Sequence, residues 1–235
     1  MSADDLQPSK LGTKQHWDDV YQREVANFTE TGDEGEVWFG EDSVEKMVDW
    51  AAEHVPPASQ PFVLEVGSGN GALLFSLSEV GYDASRLAGI DYSPDAVTLA
   101  RLVAANRGAE RITFTVCDFL ADVPVGLDGR PGWSGGWDLL LDKGTYDAIA
   151  LGEKDEDGKS PVSGYPARVA ALLRPGGHFL ITSCNFTEEE LRAGFATPET
   201  RLVYHSRIKF PSFSFGGHSG NVYSSVAFQK ASLPP

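Results

Sequence analysis

Four acidic residues recur along the middle of the chain at nearly equal intervals. They are separated by 26, 27 and 24 positions and lie in or directly after short apolar runs: Glu65, Asp91, Asp118 and Asp142. An interval of this size is about one strand plus one helix, so the four carboxylates are expected at the carboxyl ends of neighbouring parallel strands. Open α/β sheets bind their ligands at that edge. The pattern therefore predicts a ligand site rich in carboxylates.

A glycine-rich turn follows the first of these runs. The stretch VLEVGSGNGALL carries Gly67, Gly69 and Gly71 between an apolar run and a helical segment. Without side chains, this backbone can approach a ligand at the N-terminus of the helix. The dinucleotide fingerprint has its last two glycines one residue further apart, so the spacing here favours a ligand without a pyrophosphate. The predicted cofactor-binding residues of this turn are Glu65, Gly67, Ser68, Gly69, Asn70 and Gly71.

The charge of the predicted site indicates the charge of its ligand. Four carboxylates would repel a phosphate but suit a cation. Asp91, after the second strand, can accept hydrogen bonds from both hydroxyls of a ribose. S-adenosylmethionine combines a sulfonium, a ribose diol, an adenine and an amino-acid ammonium, and it is the predicted cofactor. The alternative is a Rossmann-like domain with another ligand or with none.

Apolar runs and helical segments alternate regularly from Phe62 onward, which predicts βαβ units and a parallel sheet with helices on both faces. Before it, one helix is expected after Thr13 and another over SVEKMVDWAA. Residues 200–210 and 221–230 are β-rich and predict an antiparallel hairpin that closes one sheet edge. We expect a single domain, with an acidic helical cap in residues 1–60 and a cofactor-binding core in residues 61–235.

The glycine motif and Asp91 resemble those of class I S-adenosylmethionine-dependent methyltransferases. This resemblance implies a Rossmann-like sheet of seven strands, mostly parallel, with an antiparallel C-terminal hairpin. It also implies that Asp91 is the acid at the ribose and that Asp118 and Phe119 flank the adenine, and Tyr92 is counted among the cofactor-binding residues.

A narrower resemblance lies outside the cofactor motif. The segment 11–50, which contains WFGE, and the stretch LDKGTYDAI at residues 141–149 resemble the lysine methyltransferases that act on translation elongation factor 1-alpha. The likeness runs from about Leu11 to Lys230. The motif DKGT also occurs in related methyltransferases with other protein substrates. The resemblance implies an enzyme, a protein-lysine N-methyltransferase, with elongation factor 1-alpha as its substrate.

A lysine substrate needs a carboxylate that attracts its ammonium and aromatic walls along its alkyl stem. Asp142 is the candidate carboxylate, near the sulfonium and the incoming lysine. The candidate walls are Tyr146, Trp38 and Phe39. Alternatively, Asp142 caps the helix that begins near Thr145 or pairs with Lys143, and Trp38 and Phe39 only pack the N-terminal segment onto the domain.

Lys143 has two interpretations. It contacts the carboxylate of the cofactor or an acid of the substrate, or it pairs with Asp142 or another surface acid. We favour the pair. Both Asp142 and Lys143 are also counted among the cofactor-binding candidates, because they end the fourth strand.

The net charge of −15 argues against binding to nucleic-acid phosphates and permits a basic protein partner. Residues 1–60 hold fourteen of the acidic and four of the basic residues, either as a solvated face or as a docking surface. No apolar run is long enough for a membrane span and no secretory signal is present, so a cytoplasmic protein, without membrane contact and monomeric, is expected.

Cysteine and histidine add no further chemistry to the prediction. Cys117 and Cys184 are expected as buried free thiols, and the five histidines show no metal-ligand spacing. No metal is predicted. Two rival functions remain: a class I methyltransferase for another protein or a small molecule, and a non-catalytic module that binds S-adenosylmethionine.

Overall fold

The central strands β1, β2 and β4 are buried along almost their whole length, because helices cover both faces of the sheet. The computed structural model describes residues 6–210, 212–215, 218–221 and 223–232. Its strands are β1 (Val63–Val66), β2 (Leu87–Asp91), β3 (Thr113–Val116), β4 (Trp137–Lys143), β5 (Leu173–Ser183), β6 (Leu202–Ile208), β7 (Ser212–Phe215), β8 (His218–Asn221) and β9 (Ser224–Lys230). Its α-helices are α1 (Lys14–Thr31), α2 (Gly40–His54), α3 (Ala72–Glu79), α4 (Pro94–Arg107), α5 (Thr145–Ala150), α6 (Tyr165–Leu172) and α7 (Glu188–Phe195).

Seven strands form one sheet in the order β3-β2-β1-β4-β5-β9-β6. The first five of these are parallel, and β9 runs antiparallel to both β5 and β6. The predicted fold class is confirmed, including the antiparallel C-terminal pair. β7 and β8 form a separate two-stranded sheet within the stretch that we expected only to connect this pair. Part of that stretch, residues 211, 216–217 and 222, lies outside the described residues.

Residues alternate between two helical layers along each central strand. Leu139 and Leu141 of β4 pack in the core shared with α1 to α4, whereas Leu140 packs in the core shared with α5 to α7. The next two residues, Asp142 and Lys143, continue the alternation. Their side chains therefore leave the sheet on opposite faces.

The two N-terminal helices follow their sequence signals. Thr13 caps α1, since its side chain accepts a hydrogen bond from the His16 N–H, and Gly32 ends the helix in the left-handed conformation. Helix α2 buries the apolar side that the pattern predicted, including Met47 and Val48. The chain between the helices, residues 32–39, crosses the carboxyl edge of the sheet, and we call it the strap.

Two expectations change. Cys117 is buried, but Cys184 is exposed, because it follows the last residue of β5 at the sheet edge. Helix α7 was not among the predicted elements, although its N-terminus carries a capping box in which Thr187 and Glu190 bond each other's backbone N–H. Within the part of the chain that the structure describes, no helix is long and apolar enough to cross a membrane.

Candidate functional site

A cavity of about 310 Å³ opens at the carboxyl edge of the sheet. It lies between the glycine turn, the ends of β2, β3 and β4, and the N-terminal segment. Ten of the residues predicted for the site line it: Trp38, Gly67, Ser68, Gly69, Asn70, Asp91, Tyr92, Asp118, Phe119 and Lys143. The even spacing of the acidic residues therefore located the edge of the sheet at which the cavity forms.

The glycine turn and Asp91 are joined by hydrogen bonds. Oδ2 of Asp91 accepts from the Gly69 N–H at 3.0 Å, and Oδ1 accepts from the Ser93 N–H at 2.9 Å. Each carboxylate oxygen keeps a second lone pair for a ligand hydroxyl. Burial raises the pKa of Asp91 to about 6. A buried carboxylate whose two oxygens can each accept one more hydrogen bond fits the two hydroxyls of a ribose.

Two buried polar atoms beside the turn have no hydrogen-bond partner among the described residues: Oε2 of Glu65 and Oγ of Ser68. Buried polar groups are normally paired, so these atoms indicate a bound group. Burial raises the pKa of Glu65, since the charged form is costly there. A cationic amino group would supply both the hydrogen bond and the compensating charge. The site therefore fits the predicted S-adenosylmethionine.

The two residues predicted to flank the adenine, Asp118 and Phe119, both line the cavity. Phe119 is buried, and its ring contacts Tyr165 with centroids 4.6 Å apart. Asp118 is exposed to the cavity, and its Oδ1 accepts from the Leu120 N–H at 2.9 Å. Arg168 lies over the Phe119 ring at 5.6 Å. A planar base has an apolar wall and a free carboxylate oxygen here.

Asp142 is fully buried and does not line the cavity. Its carboxylate accepts hydrogen bonds from the backbone N–H groups of Thr145 and Tyr146 and from the Tyr165 hydroxyl. Asp142 thus caps α5 by satisfying two free N–H groups of its first turn. The expected contact of Asp142 with the cofactor and the substrate lysine is therefore not formed. The side chain of Asp142 leaves β4 on the face that packs against α5 and α6, where it stabilises the start of α5.

The expected pairing of Lys143 with Asp142 is not formed. The Lys143 ammonium donates a 2.8 Å hydrogen bond to the carbonyl oxygen of Trp38. It shares the α1 face of the sheet with Glu65, and the field of Glu65 acts on it. Burial nevertheless lowers the pKa of Lys143, while the carboxylates of Glu65 and Asp142 oppose that shift. Lys143 is a cavity residue and not a surface ion-pair partner.

Three aromatic residues form one wall of the cavity. Trp38 of the strap meets Trp17 edge to face at 4.7 Å, and Trp17 stacks on Tyr21 at 6.2 Å. The Tyr21 hydroxyl lies over the turn, 2.5 Å from where a Cβ of Gly69 would be. The sequence predicted a helix after Thr13 but did not place Trp17 and Tyr21 of that helix in the site. Their helical spacing was the available signal.

Besides Asp142 and Glu65, three predicted residues do not line the cavity. Phe39 packs on Gly144 and stacks on Tyr223 at 4.7 Å. Tyr146 packs among aromatic residues of the α6 face, including Phe186 at 5.0 Å. Gly71 begins α3, where a Cβ would meet the Phe114 ring at 2.8 Å. These three residues pack against the elements that form the cavity and do not face its interior.

The fold gathers three histidines that do not line this cavity. His205 lies 5.1 Å from His54 and 4.9 Å from His178, between ring centroids, and all three surround Trp50. Among the residues that the structure describes, no group of His, Cys, Asp and Glu is arranged to hold a metal ion.

Residues 59–223 match the model of a family described as a methyltransferase domain. The chain is 43% identical over 236 residues to the protein-lysine N-methyltransferase efm4 of Schizosaccharomyces pombe, with 95% of each chain covered. It is 40% identical over 227 residues to the EEF1A lysine methyltransferase 2 of Homo sapiens, with 97% of this chain and 89% of the relative covered.

Solved structures resemble the fold at low identity. The [4+2]-cyclase SpnF has a TM-score of 0.65 and 13% identity, with 99% of this chain and 100% of that chain covered. A TehB-like SAM-dependent methyltransferase from Corynebacterium glutamicum has a TM-score of 0.57 and 17% identity, with 93% and 100% covered. These similarities concern the arrangement of the sheet and its helices.

Proposed function

Since this chain belongs to the family of the protein-lysine N-methyltransferases efm4 and EEF1A lysine methyltransferase 2, we propose that it methylates a lysine of translation elongation factor 1-alpha. The cofactor is S-adenosylmethionine. One observation of the site carries the proposal: a single cavity joins the glycine turn and Asp91 to an aromatic wall. The two parts suit a nucleoside cofactor and an alkyl amine, respectively.

The cofactor supplies an electrophilic methyl group on a sulfonium when it is bound. Asp91 would hold its ribose, and Asp118 and Phe119 its adenine. The turn from Gly67 to Asn70 would surround its amino-acid part, with Glu65 as the counter-charge to the ammonium. Alignment by these groups favours in-line attack by the lysine nitrogen.

The substrate lysine must lose a proton before it attacks. Carboxylates that line the cavity, Glu36 and Glu153, attract its ammonium, and both are exposed. Farther in, Trp17, Tyr21 and Trp38 contact its alkyl stem and exclude water. Desolvation beside these rings favours the neutral amine, which is the nucleophile. The residues of this chain thus attract the substrate lysine, orient its side chain and exclude water from it.

The partner is proposed to present a basic surface. Four acids of α2 recur every four residues and are exposed: Glu41, Glu45, Asp49 and Glu53. We call them the acidic stripe. Residues four apart share one helix face, so the stripe presents one sign of charge to an approaching protein. We also propose a monomeric enzyme that acts in the cytoplasm, where translation takes place.

The test is methyl transfer from tritium-labelled S-adenosylmethionine into purified elongation factor 1-alpha and into a cell lysate resolved on a gel. We expect one labelled protein band, and mass spectrometry of that band identifies the lysine. An Asp91→Asn variant serves as the control for cofactor-dependent labelling. Label confined to small molecules, or cofactor binding with no transfer, would contradict the proposal.

A further inference from the structure

Lys143 and Trp38 connect the DKGT and WFGE motifs directly. Although 105 positions separate them, the Lys143 ammonium donates a 2.8 Å hydrogen bond to the Trp38 carbonyl oxygen. A partly buried ammonium is costly unless it finds acceptors and a counter-charge. The Trp38 carbonyl is the acceptor, and the nearby carboxyl groups of Glu65 and Asp142 favour the charged form of the ammonium. This contact joins the strap to the end of β4.

The residue after Trp38 has an unfavourable backbone conformation. Phe39 has φ +65°, a region that bulky side chains rarely adopt. Its ring lies against Gly144, where a Cβ would come 2.9 Å from Cζ, and it stacks on Tyr223. Such a conformation persists only when its neighbours enforce it. The end of β4 thus holds the strap twice, through Lys143 at the backbone and through Gly144 at the ring.

The strap is also attached to the cofactor side. Nδ2 of Asn70, in the glycine turn, donates a 3.0 Å hydrogen bond to the Glu34 carbonyl oxygen, and Arg107 forms a bidentate ion pair with the Glu34 carboxylate. These contacts hold the first half of the strap. The second half, which carries Trp38 into the cavity, is held by Lys143 and by the contact of Phe39 with Gly144. The two halves are therefore separable by mutation.

We propose that Lys143 is a positioning residue for the substrate lysine, and that it acts by holding Trp38 in place as a wall of the lysine channel. This inference rests on the proposed function. It differs from direct binding of the cofactor carboxylate by Lys143, which the position of Lys143 in the cavity would also permit. The two roles separate in an experiment, because one changes the protein substrate's KM and the other changes cofactor affinity.

The first measurement needs no protein substrate. Lys143→Met keeps an alkyl stem of similar length but removes the donor, and Lys209→Met at an exposed position is the matched control. Hydrogen exchange of residues 36–39 should be faster by about tenfold or more in Lys143→Met and unchanged in Lys209→Met. Local opening of the strap costs less free energy in Lys143→Met, because the hydrogen bond to the Trp38 carbonyl is already absent. Unchanged exchange in Lys143→Met would overturn the proposal. This result stands even if the enzyme methylates another protein.

The second measurement is kinetic. With elongation factor 1-alpha as substrate, Lys143→Met should raise KM for the protein by about tenfold and leave the cofactor Kd within about twofold. Lys143→Arg, which keeps donors, should recover part of the loss. A cofactor Kd raised tenfold with an unchanged protein KM would overturn the proposal in favour of a direct cofactor contact. Absence of transfer by the wild-type enzyme would instead contradict the proposed function.

A double-mutant cycle tests whether Lys143 acts through Trp38. Trp38→Ala alone should raise the protein KM, and Lys143→Met added to it should change KM by less than about twofold, because the wall is already gone. If the two residues acted independently, their effects on the free energy of substrate binding, obtained from the KM ratios, would add. Full additivity would therefore overturn the positioning role.

Discussion

The Gly69 N–H lies 3.0 Å from Oδ2 of Asp91, so the glycine turn and the end of β2 form one hydrogen-bonded unit. In Asp91→Asn the shape is kept, but the charge and one acceptor oxygen are lost. A hydrogen bond to a charged group is worth about 1.5 to 3 kcal/mol, so the cofactor Kd should rise about tenfold to a hundredfold. Isothermal titration calorimetry measures it. Glu110→Gln, at an exposed position, is the control, and an unchanged Kd in a folded Asp91→Asn protein would remove Asp91 from the site.

Cofactor affinity should depend on pH through Asp91. Burial raises the pKa of this carboxyl to about 6, and the bound ribose and sulfonium favour its ionised form. Below pH 6 binding must first expel a proton, so affinity should increase as pH rises toward 7 and then level off. Calorimetry in two buffers of different ionisation enthalpy should detect proton release near pH 6. Asp91→Asn should lack this component, and an equal release in that variant would assign the proton to another group.

Asp142→Asn should lower stability more than it lowers catalysis. An amide cannot accept all three hydrogen bonds of the carboxylate, so unfolding should cost about 1 to 3 kcal/mol less. Cofactor affinity should change by less than about threefold, since Asp142 is outside the cavity. Thermal melting and calorimetry measure the two effects, and Tyr165→Phe provides the partner variant. A hundredfold loss of turnover at unchanged melting temperature would restore Asp142 to the reacting centre.

The Asp142 carboxyl should also make the free energy of unfolding depend on pH. Burial raises the pKa of Asp142 from 3.8 to about 7. Between these values the unfolded chain has released this proton and the native protein has kept it, so the contribution of Asp142 to stability decreases as pH rises from about 4 to 7. Urea unfolding at several pH values should show a shallower decrease in Asp142→Asn. An identical slope in the two proteins would contradict the raised pKa.

Gly144→Ala should displace the Phe39 ring and with it the second half of the strap. Gly144 has φ +83°, and a Cβ there would lie 2.9 Å from Cζ of Phe39. Gly158→Ala is a matched control, because Gly158 has φ +78° and no atom within 4 Å of the added Cβ. Both variants should lose about 1 to 2 kcal/mol from the backbone conformation. Gly144→Ala should in addition raise the protein KM, and equal kinetics in the two variants would exclude a role for the Phe39 contact.

Neutralising the acidic stripe should weaken binding of the protein substrate. With its four acids changed to Gln or Asn, the protein KM at low salt should rise about tenfold, whereas the cofactor KM should not change. In the wild type, added salt should raise the protein KM selectively, because charges are screened beyond about 8 Å at physiological ionic strength. Equal salt dependence of both KM values would identify the stripe as a solvated face.

The alternation of apolar runs and helices predicted the sheet, and the intervals between the acids predicted its functional edge. The face on which Asp142 leaves β4 could not be predicted. Alternation shows that Asp142 and Lys143 point in opposite directions, but not which layer of helices each one meets. The capping of α5 depends on that choice, and so does the contact of Lys143 with a residue 105 positions away.

Two of the three residues of the aromatic wall were missed for a similar reason. Trp17 and Tyr21 have the spacing of a buried helix face, and a side chain that faces a cavity has the same spacing as one that faces a core. WFGE and DKGT were singled out as motifs, but nothing in either stretch indicates that one contacts the other. Contacts between distant segments depend on how the layers pack.

The placement of β9 between β5 and β6 affects how the protein is made. β6 precedes β9 in the chain, and among the described residues β9 is its only partner in this sheet. β6 therefore cannot join the sheet until β9 has left the ribosome. Until then the edge of β5 along residues 178–183, which includes the buried Phe179, Leu180 and Ile181, is open to strands of other chains. Pairing across such sequence distances is slow. During synthesis the nascent chain thus passes through a stage at risk of aggregation, which completion of the last strand ends.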